Sequence, residues 1–461
     1  MLNLLGLDLG TSSFKVAAFT TEGTQIGVVS RPTPWREGPL GSEMDPVQFA
    51  AVVRELLDEC AERWAPEGVA AIGVTGMAET SFVELDDGRI LPARAWNQRG
   101  TRELPELTSF AVTGLVDAAR TPLVELRSLR DDGVRVRAWH GLPDYAVQTL
   151  GGARVIERSL ATRTGLVDVR TGAWHGELVE WAGIADVELP ALHPAGTPAG
   201  QVADGPCAGA VLTVAGHDHV TAAVGAGADD PSAIFDSLGT GEAIIAELRA
   251  TTAGLDVEII ARTTAAGINV GLGVGARNVV LFAGLGTGNR FNLLLSALAA
   301  LGHDREAVLV PEARPEAGHE LDALETLPAA ATELLDTLFG ADWQQLRTSG
   351  DGQRLTAASV TDLDQARALW WAAVARAALN GRATLDTIAE LSPQATRLVA
   401  AGGWLGNAGI RGIRERILGP FTRPAVDQAG ARGAALFAGL AAGIFPTRDA
   451  FPPSPTIQEQ S

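Results

Sequence analysis

One short pattern occurs twice in this chain and constrains its fold more than any other feature. The apolar run Leu4 to Leu7 leads into Asp8. Gly10, the hydroxyl residues Thr11, Ser12 and Ser13, and Lys15 follow, before Val16 to Phe19 resume the apolar alternation. In the second half, Ala233 to Leu238 reads as a strand, Gly239-Thr240-Gly241 as a tight turn, and Glu242 to Glu247 as a strand again. Both copies are strand, glycine and hydroxyl turn, strand. The repetition predicts a duplicated α/β architecture whose second domain starts near Pro231. A chain of 461 residues also exceeds one ordinary core, which favours two domains on size alone.

The first turn has the parts of a phosphate cradle. Its glycine lets a backbone approach closely, its hydroxyls and N–H groups donate, and Lys15 supplies a cation. Lys15 is the single lysine among 36 basic residues, the others being arginine. An ammonium meets phosphate as a compact point charge, whereas a guanidinium presents a broad planar fork. Asp8, at the strand end, has the chemistry to hold a hydrated Mg²⁺, which takes one or two carboxylates and keeps its waters. The same pattern also fits an edge hairpin with a polar turn.

Further along, Asp45-Pro46 is a cap followed by proline at a helix start. The apolar positions Phe49, Val53, Leu56, Leu57, Cys60 and Trp64 then fall on one helical face. Val69 to Thr75 reads as a strand ending at Gly76-Met77-Ala78-Glu79. Ile90 to Trp96 ends in Trp96-Asn97-Gln98-Arg99. A glutamate and an amide-arginine cluster at neighbouring strand ends suit binding of hydroxyl groups, and equally suit two solvent-facing loops. Leu115 to Ala173 is rich in arginine and gives no clean local pattern. Gly209 to Ala215 reads as a strand, Gly216-His217-Asp218-His219 as a junction and Val220 to Gly227 as a helix. This makes Asp218 either a reactive acid or a plain helix cap. Gly284 to Phe291 is a glycine-rich entry to a helix. Ala366 to Leu391 is helical, and Thr396 to Ala401 is a strand leading through Gly402-Gly403 and Asn407 to another helix. Paired glycines at such a junction let a nucleotide lie against backbone. Asp427 to Phe445 reads as a helix of small residues suited to close packing.

A net charge of −19 argues against a nucleic-acid partner, which would need a basic face. Cys60 and Cys207 have no metal or redox spacing and read as buried thiols, fitting a reducing cytoplasm. No signal peptide is visible, because the N-terminus passes straight into a strand. The longest apolar stretch, Ala265 to Gly288, is broken by Asn269, Arg277 and Asn278, so no membrane partner is expected. The tail from Phe451 reads as disordered.

Taken in order, these pieces resemble the FGGY family of carbohydrate kinases, of the sugar kinase, actin and Hsp70 superfamily. The motifs are DLGTSSFKV, GMAETSFVELDDGRILPARAWNQRG, TGLVDVRTGAWH, GHDHVTAAVGAG, DSLGTGEAI and AAGGWLGNAGIRGIRERILG, and they span nearly the whole chain. The resemblance implies two RNase-H-like, actin-like ATPase domains, each a mixed sheet with flanking helices, with the active site in the cleft between them. The expected boundaries are 1–230, 231–448 and a disordered 449–461. It implies ATP and Mg²⁺ as cofactors, a small sugar, ketose or polyol as substrate, and leaves assembly as a homodimer open. By position, Asp218 falls at the catalytic base and Asp8 at the metal-associated aspartate. Thr11, Ser12, Ser13 and Lys15 fall at the first phosphate turn, and Gly239 and Thr240 at the second. Gly403 and Asn407 fall at the adenosine site, with Gly286 and Arg290 also lining the nucleotide. Glu79, Trp96, Asn97 and His219 fall at the acceptor site together with Asp218. Xylulose kinases usually carry Met-His where this chain has Met77-Ala78, and glycerol kinases Arg-Glu where it has Ala78-Glu79. His219 stands where an asparagine or glutamine is common, so neither acceptor specificity carries over. A kinase for another acceptor, or a non-catalytic sensor, shares the fold. The sensor reading predicts loss of Asp8 or Asp218, and both are present.

Overall fold

The protein is described here by a computed structural model covering residues 2–39, 41–96, 108–187, 189–251, 255–275, 278–314, 316, 319, 322–340, 346 and 351–457. Its principal strands are β1 (Asn3–Leu9), β2 (Ser13–Phe19), β3 (Gln25–Pro32), β4 (Val69–Gly76), β5 (Val211–His217), β6 (Ala233–Leu238), β7 (Glu242–Thr251) and β8 (Arg397–Ala401). Its principal helices are α1 (Pro46–Trp64), α2 (Asp218–Gly225), α3 (Thr287–Ala300), α4 (Leu363–Leu391), α5 (Ala408–Leu418) and α6 (Ala429–Ala441). The chain divides into two compact units. Unit 1 is Met1–Pro231, Glu247–Phe282 and Pro424–Ser461, and unit 2 is Ser232–Ala246 and Ala283–Arg423.

Unit 1 is built on a mixed sheet of order β5-β4-β1-β2-β3. β1 is antiparallel to β2 and parallel to β4, and β5 is parallel to β4. On one face α1 buries Phe49, Val53, Leu56, Leu57 and Cys60, the stripe expected from its spacing, and the Asp45 carboxylate caps Val47 and Gln48. On the other face lies α6, whose small residues bring backbone against backbone. A Cβ at Gly6 would run into the Ala431 carbonyl, and one at Gly73 into that of Ala434. That fit draws the C-terminal segment into unit 1, in contrast to the expected domain of 231–448. The described part of the expected disordered tail, up to residue 457, is also held. Arg432 donates to the carbonyls of Pro452 and Pro453 at 2.9 and 3.1 Å, and Thr456 bridges to Pro424. Cys60 and Cys207 are buried thiols, pushed up to about 12 and about 11 mainly by burial.

Unit 2 repeats the central arrangement. β6 is antiparallel to β7 across the Gly239–Gly241 turn and parallel to β8. Its core gathers Phe291, Leu294 and Leu298 of α3, Trp370 and Trp371 of α4, and Ile410 and Ile413 of α5. Among the described residues no helix is long and apolar enough to cross a membrane.

Buried acids give unit 1 a measurable pH signature. Burial pushes the Glu125 carboxyl up to about 7, against the opposing pull of Arg94 and the Ser81 hydroxyl. The folded protein therefore keeps a proton that the unfolded chain releases near 4.5. This contribution to stability falls as pH rises from about 5 to about 7 and is then flat. The melting temperature should decline across that window, and Glu125→Gln should make the decline shallower; an unchanged slope would mean that Glu125 is ionised throughout.

Candidate active site

The first turn is braced by indoles. Trp35 Nε1 donates to the Thr11 carbonyl and Trp96 Nε1 to Thr11 Oγ1, both at 2.8 Å. Thr33 Oγ1 adds a 2.7 Å bond to the Gly10 carbonyl. The Trp96 indole, from the segment expected at the acceptor, is thus bonded to this first turn, while Asn97 lies outside the described residues. Ser12 is exposed at the tip and Ser13 begins β2. Lys15 faces Asp8 across the β1–β2 ladder, and Asp8 is also in register with Thr75 of β4. A Cβ on Gly430 of α6 would stand 2.6 Å from Asp8 Oδ2, so glycine there is what lets the helix start pass the carboxylate. Burial, and then the charge of Asp218, push the Asp8 carboxyl up to about 7, with Lys15 opposing.

Asp218 is not a helix cap. β5 runs on to His217, two residues past the expected strand end, and α2 begins at Asp218, with His217 in the N-cap position. A capping side chain accepts from the second or third residue of the helix. Asp218 Oδ1 instead accepts from the adjacent N–H of His219 at 2.7 Å and lies 3.2 Å from His217 Nε2. Burial works to raise this carboxyl, but the rings of His219 and His217, the His219 N–H and Arg163 outweigh it and hold Asp218 below the usual carboxylate value. Burial drives His217 the other way, down to about 4. Near neutral pH the junction therefore presents an ionised carboxylate beside a neutral imidazole, which is the state a proton acceptor needs.

Glu79 follows the end of β4 and is tied to Arg163. Arg163 Nε donates to Glu79 Oε1 at 2.7 Å, and a second guanidinium nitrogen donates to the same oxygen. The guanidinium lies over the Phe282 ring at 5.2 Å, and Phe282 packs against both His217 and His219. Arg163 and Phe282 are the residues that sequence reasoning missed. Arg163 sits in the arginine-rich stretch without periodicity, and Phe282 within a long apolar run.

In unit 2 the Gly239-Thr240 turn abuts the start of α3. A Cβ on Gly288 would fall 2.7 Å from the Thr240 carbonyl and 2.9 Å from Trp404 Nε1. Gly286, at φ +63°, is the N-cap of α3, and Arg290 NH1 donates to the Leu285 carbonyl at 2.6 Å. Gly403 is exposed, with open space where a side chain would project. Asn407 caps α5, accepting from Gly409 and Ile410 at 2.9 and 3.2 Å and donating to the Leu309 carbonyl at 2.9 Å. Beneath the turn, Arg414 bonds both Asp236 and Glu242, and Thr287 also donates to Glu242. The sequence did not announce this triad.

Residues 3–235 match the sequence profile of the FGGY family of carbohydrate kinases, N-terminal domain. The chain belongs to that family. The chain is similar in sequence to a glycerol kinase of Ralstonia nicotianae, 32% identical over 52% of this chain, and to one of Methylibium petroleiphilum, 28% identical over 97% of this chain and 92% of its own length. In the first alignment the chain spans about half the relative's length (53%). A solved ligand-bound xylulose kinase of Lactobacillus acidophilus superposes with a TM-score of 0.76 at 18% identity, over 99% of this chain and 93% of its own. The fold is thus that of the solved xylulose kinases, as the expected two-domain α/β architecture requires.

Proposed function

We propose that this FGGY protein transfers the γ-phosphoryl group of ATP to a hydroxyl of a small sugar, ketose or polyol. The observation that carries the reading is Asp218. It is an ionised carboxylate at the first residue of a helix, beside a neutral His217 and outside the capping role. In this reading Asp218 takes the proton of the attacking hydroxyl as the bond to phosphorus forms. Glu79 holds a second hydroxyl of the acceptor through the oxygen that Arg163 leaves unused, and His219 contacts the same molecule. Thr11, Ser12, Ser13 and Lys15 receive the transferring phosphate, and Lys15 offsets its charge. The second unit contributes Gly239 and Thr240 to the phosphates. Gly286, Arg290, Gly403 and Asn407 are assigned to the nucleoside side.

Magnesium suits this chain. Asp8 is raised by burial and by the neighbouring charge of Asp218, and a hydrated divalent cation beside it would offset both. A hydrated Mg²⁺ takes one or two carboxylates and keeps waters and phosphate oxygens for the rest of its shell, a demand that Asp8 alone can meet. When bound, it would neutralise charge on the phosphates.

The test is ADP release from Mg·ATP with a panel of polyols, ketoses and sugar acids. One or more neutral polyols or ketoses should raise turnover at least about tenfold above the acceptor-free rate. A response confined to sugar acids, or none at all, would overturn the acceptor class.

A further inference from the structure

The peptide immediately before Asp218 is held in an unusual way. β5 pairs with β4 in parallel from Val211↔Ala71 to Val214↔Val74, then slips so that Gly216 faces Thr75 and His217 faces Gly76. Ala215 is the extra residue, and Gly216 takes φ +111°. A bulge of this kind leaves its backbone groups without ladder partners and re-aims the residues after it. Here side-chain hydroxyls supply partners: Thr221 Oγ1 donates to the Ala215 carbonyl at 2.9 Å, and two more hydroxyls hold the next peptide. Thr75 Oγ1 donates to the Gly216 carbonyl at 2.6 Å, and the His217 N–H donates to Ser159 Oγ at 2.9 Å. Those two groups belong to one peptide plane, so the plane is pinned from both sides.

Ser159 is itself fixed. Its hydroxyl donates to Glu157 Oε2 at 2.5 Å, and the same carboxylate oxygen accepts the Ser159 and Leu160 N–H groups at 2.7 and 3.2 Å. A serine hydroxyl has one proton to give. With that proton committed to Glu157, a lone pair remains to meet the His217 N–H. The three side chains are buried, Thr75 at 0%, Glu157 at 1% and Ser159 at 2% exposure, so water does not compete. Glycine at 216 allows the approach, since a Cβ there would stand 2.8 Å from Ser159 Oγ and 3.0 Å from Glu157 Oε2.

We propose that Ser159, oriented by Glu157, and Thr75 are positioning residues for phosphoryl transfer: by clamping the Gly216–His217 peptide they set the direction of the Asp218 carboxylate. None of them needs to touch a substrate. The inference rests on Asp218 being the base.

The experiment is steady-state kinetics of the full-length protein with its best acceptor. Ser159→Ala and Thr75→Val should each lower kcat by about 10–100-fold, the scale of a misplacement near 1 Å, with both KM values within about twofold. Thr75→Ser keeps the hydroxyl and should recover most of the rate. Ser159→Ala added to Asp218→Asn should cause no further loss, because the clamp acts only through the carboxylate. Near-parental kcat in Ser159→Ala, or a further tenfold loss in the double variant, overturns the proposal. If Ser159→Ala does not fold, the Thr75→Val and Thr75→Ser pair decides it: equal rates in that pair overturn it. Asp218→Asn at the parental rate sinks the base assignment and this inference together, whereas an inactive Asp218→Asn with an unaffected Ser159→Ala sinks the clamp alone.

Discussion

Asp218→Asn should lower kcat on the best acceptor by about 10²–10⁴-fold while the protein stays folded. Asparagine keeps the shape and keeps an oxygen for the His219 N–H, which Asp218 Oδ1 accepts at 2.7 Å. It loses the charge and the basicity. The substitution also removes one of the influences that raise Asp8, so the Asp8 carboxyl should move down toward its ordinary value. Any effect on stability is therefore small, and relief of the Asp8–Asp218 repulsion acts in the stabilising direction. The bland alternative is an acid in the first turn of α2 that only complements the helix dipole. That role is typically worth about 0.3–1 kcal/mol and has no bearing on rate. The two readings separate on kcat and the melting temperature measured on one preparation. A variant with parental kcat would leave Asp218 as a helix-dipole residue and would remove the support for the proposed reaction.

What the sequence made legible was chemistry confined to a few consecutive residues. The hairpin around Gly10 and Lys15, the capped start of α1 and the small-residue helix α6 all declare themselves by local spacing, and all are present. Asp218 was legible as an acid at a junction, but its junction was misplaced. Gly216 reads as a turn residue, yet β5 continues past it because Thr75 and Ser159 satisfy the bulged peptide from elsewhere in the fold. Arg163 was invisible for the same reason. Its meaning depends on Glu79, 84 residues earlier, and on a ring at Phe282, and no local pattern encodes either partner. Trp96 shows a subtler case. Its segment reads as an acceptor-binding loop, and its indole is bonded to Thr11 in the turn between β1 and β2, a partner 85 residues away that no local pattern encodes. The C-terminal end was read from composition as disordered. Arg432, buried to 1% exposure, needs carbonyl partners, and Pro452 and Pro453 supply two of them.

Arg414→Met should destabilise the protein by about 3–5 kcal/mol, the usual cost of removing one partner from a buried charge network. Arg414 is 1% exposed and bonds Asp236 of β6 and Glu242 of β7, themselves 0% and 2% exposed. Those two acids flank the Gly239-Thr240 turn, so the guanidinium ties together the strands that carry it. Burial pushes Asp236 up to about 7 even with Arg414 beside it, and Arg414 is itself pushed up, the two acids outweighing its burial. Without the guanidinium both acids lose their counter-charge, and Asp236 is driven further toward the neutral form. A carboxyl raised above its unfolded value contributes less stability as pH climbs through that range. The deficit of the variant should therefore grow from about pH 6 to about pH 8, which urea unfolding at the two pH values would measure. Replacing the whole triad, Asp236→Leu with Glu242→Met and Arg414→Met, removes the stranded charges as well and should cost less than Arg414→Met alone. A larger loss in the triple variant would mean that the triad is net stabilising in itself, through its geometry and the Thr287 hydroxyl on Glu242, and not merely self-compensated. The single variant should also raise the KM for ATP, because the turn assigned to the phosphates loses the tie between its strands. Unchanged ATP kinetics in a variant that is still folded at the assay temperature would detach the triad from the nucleotide side and leave it a role in folding alone.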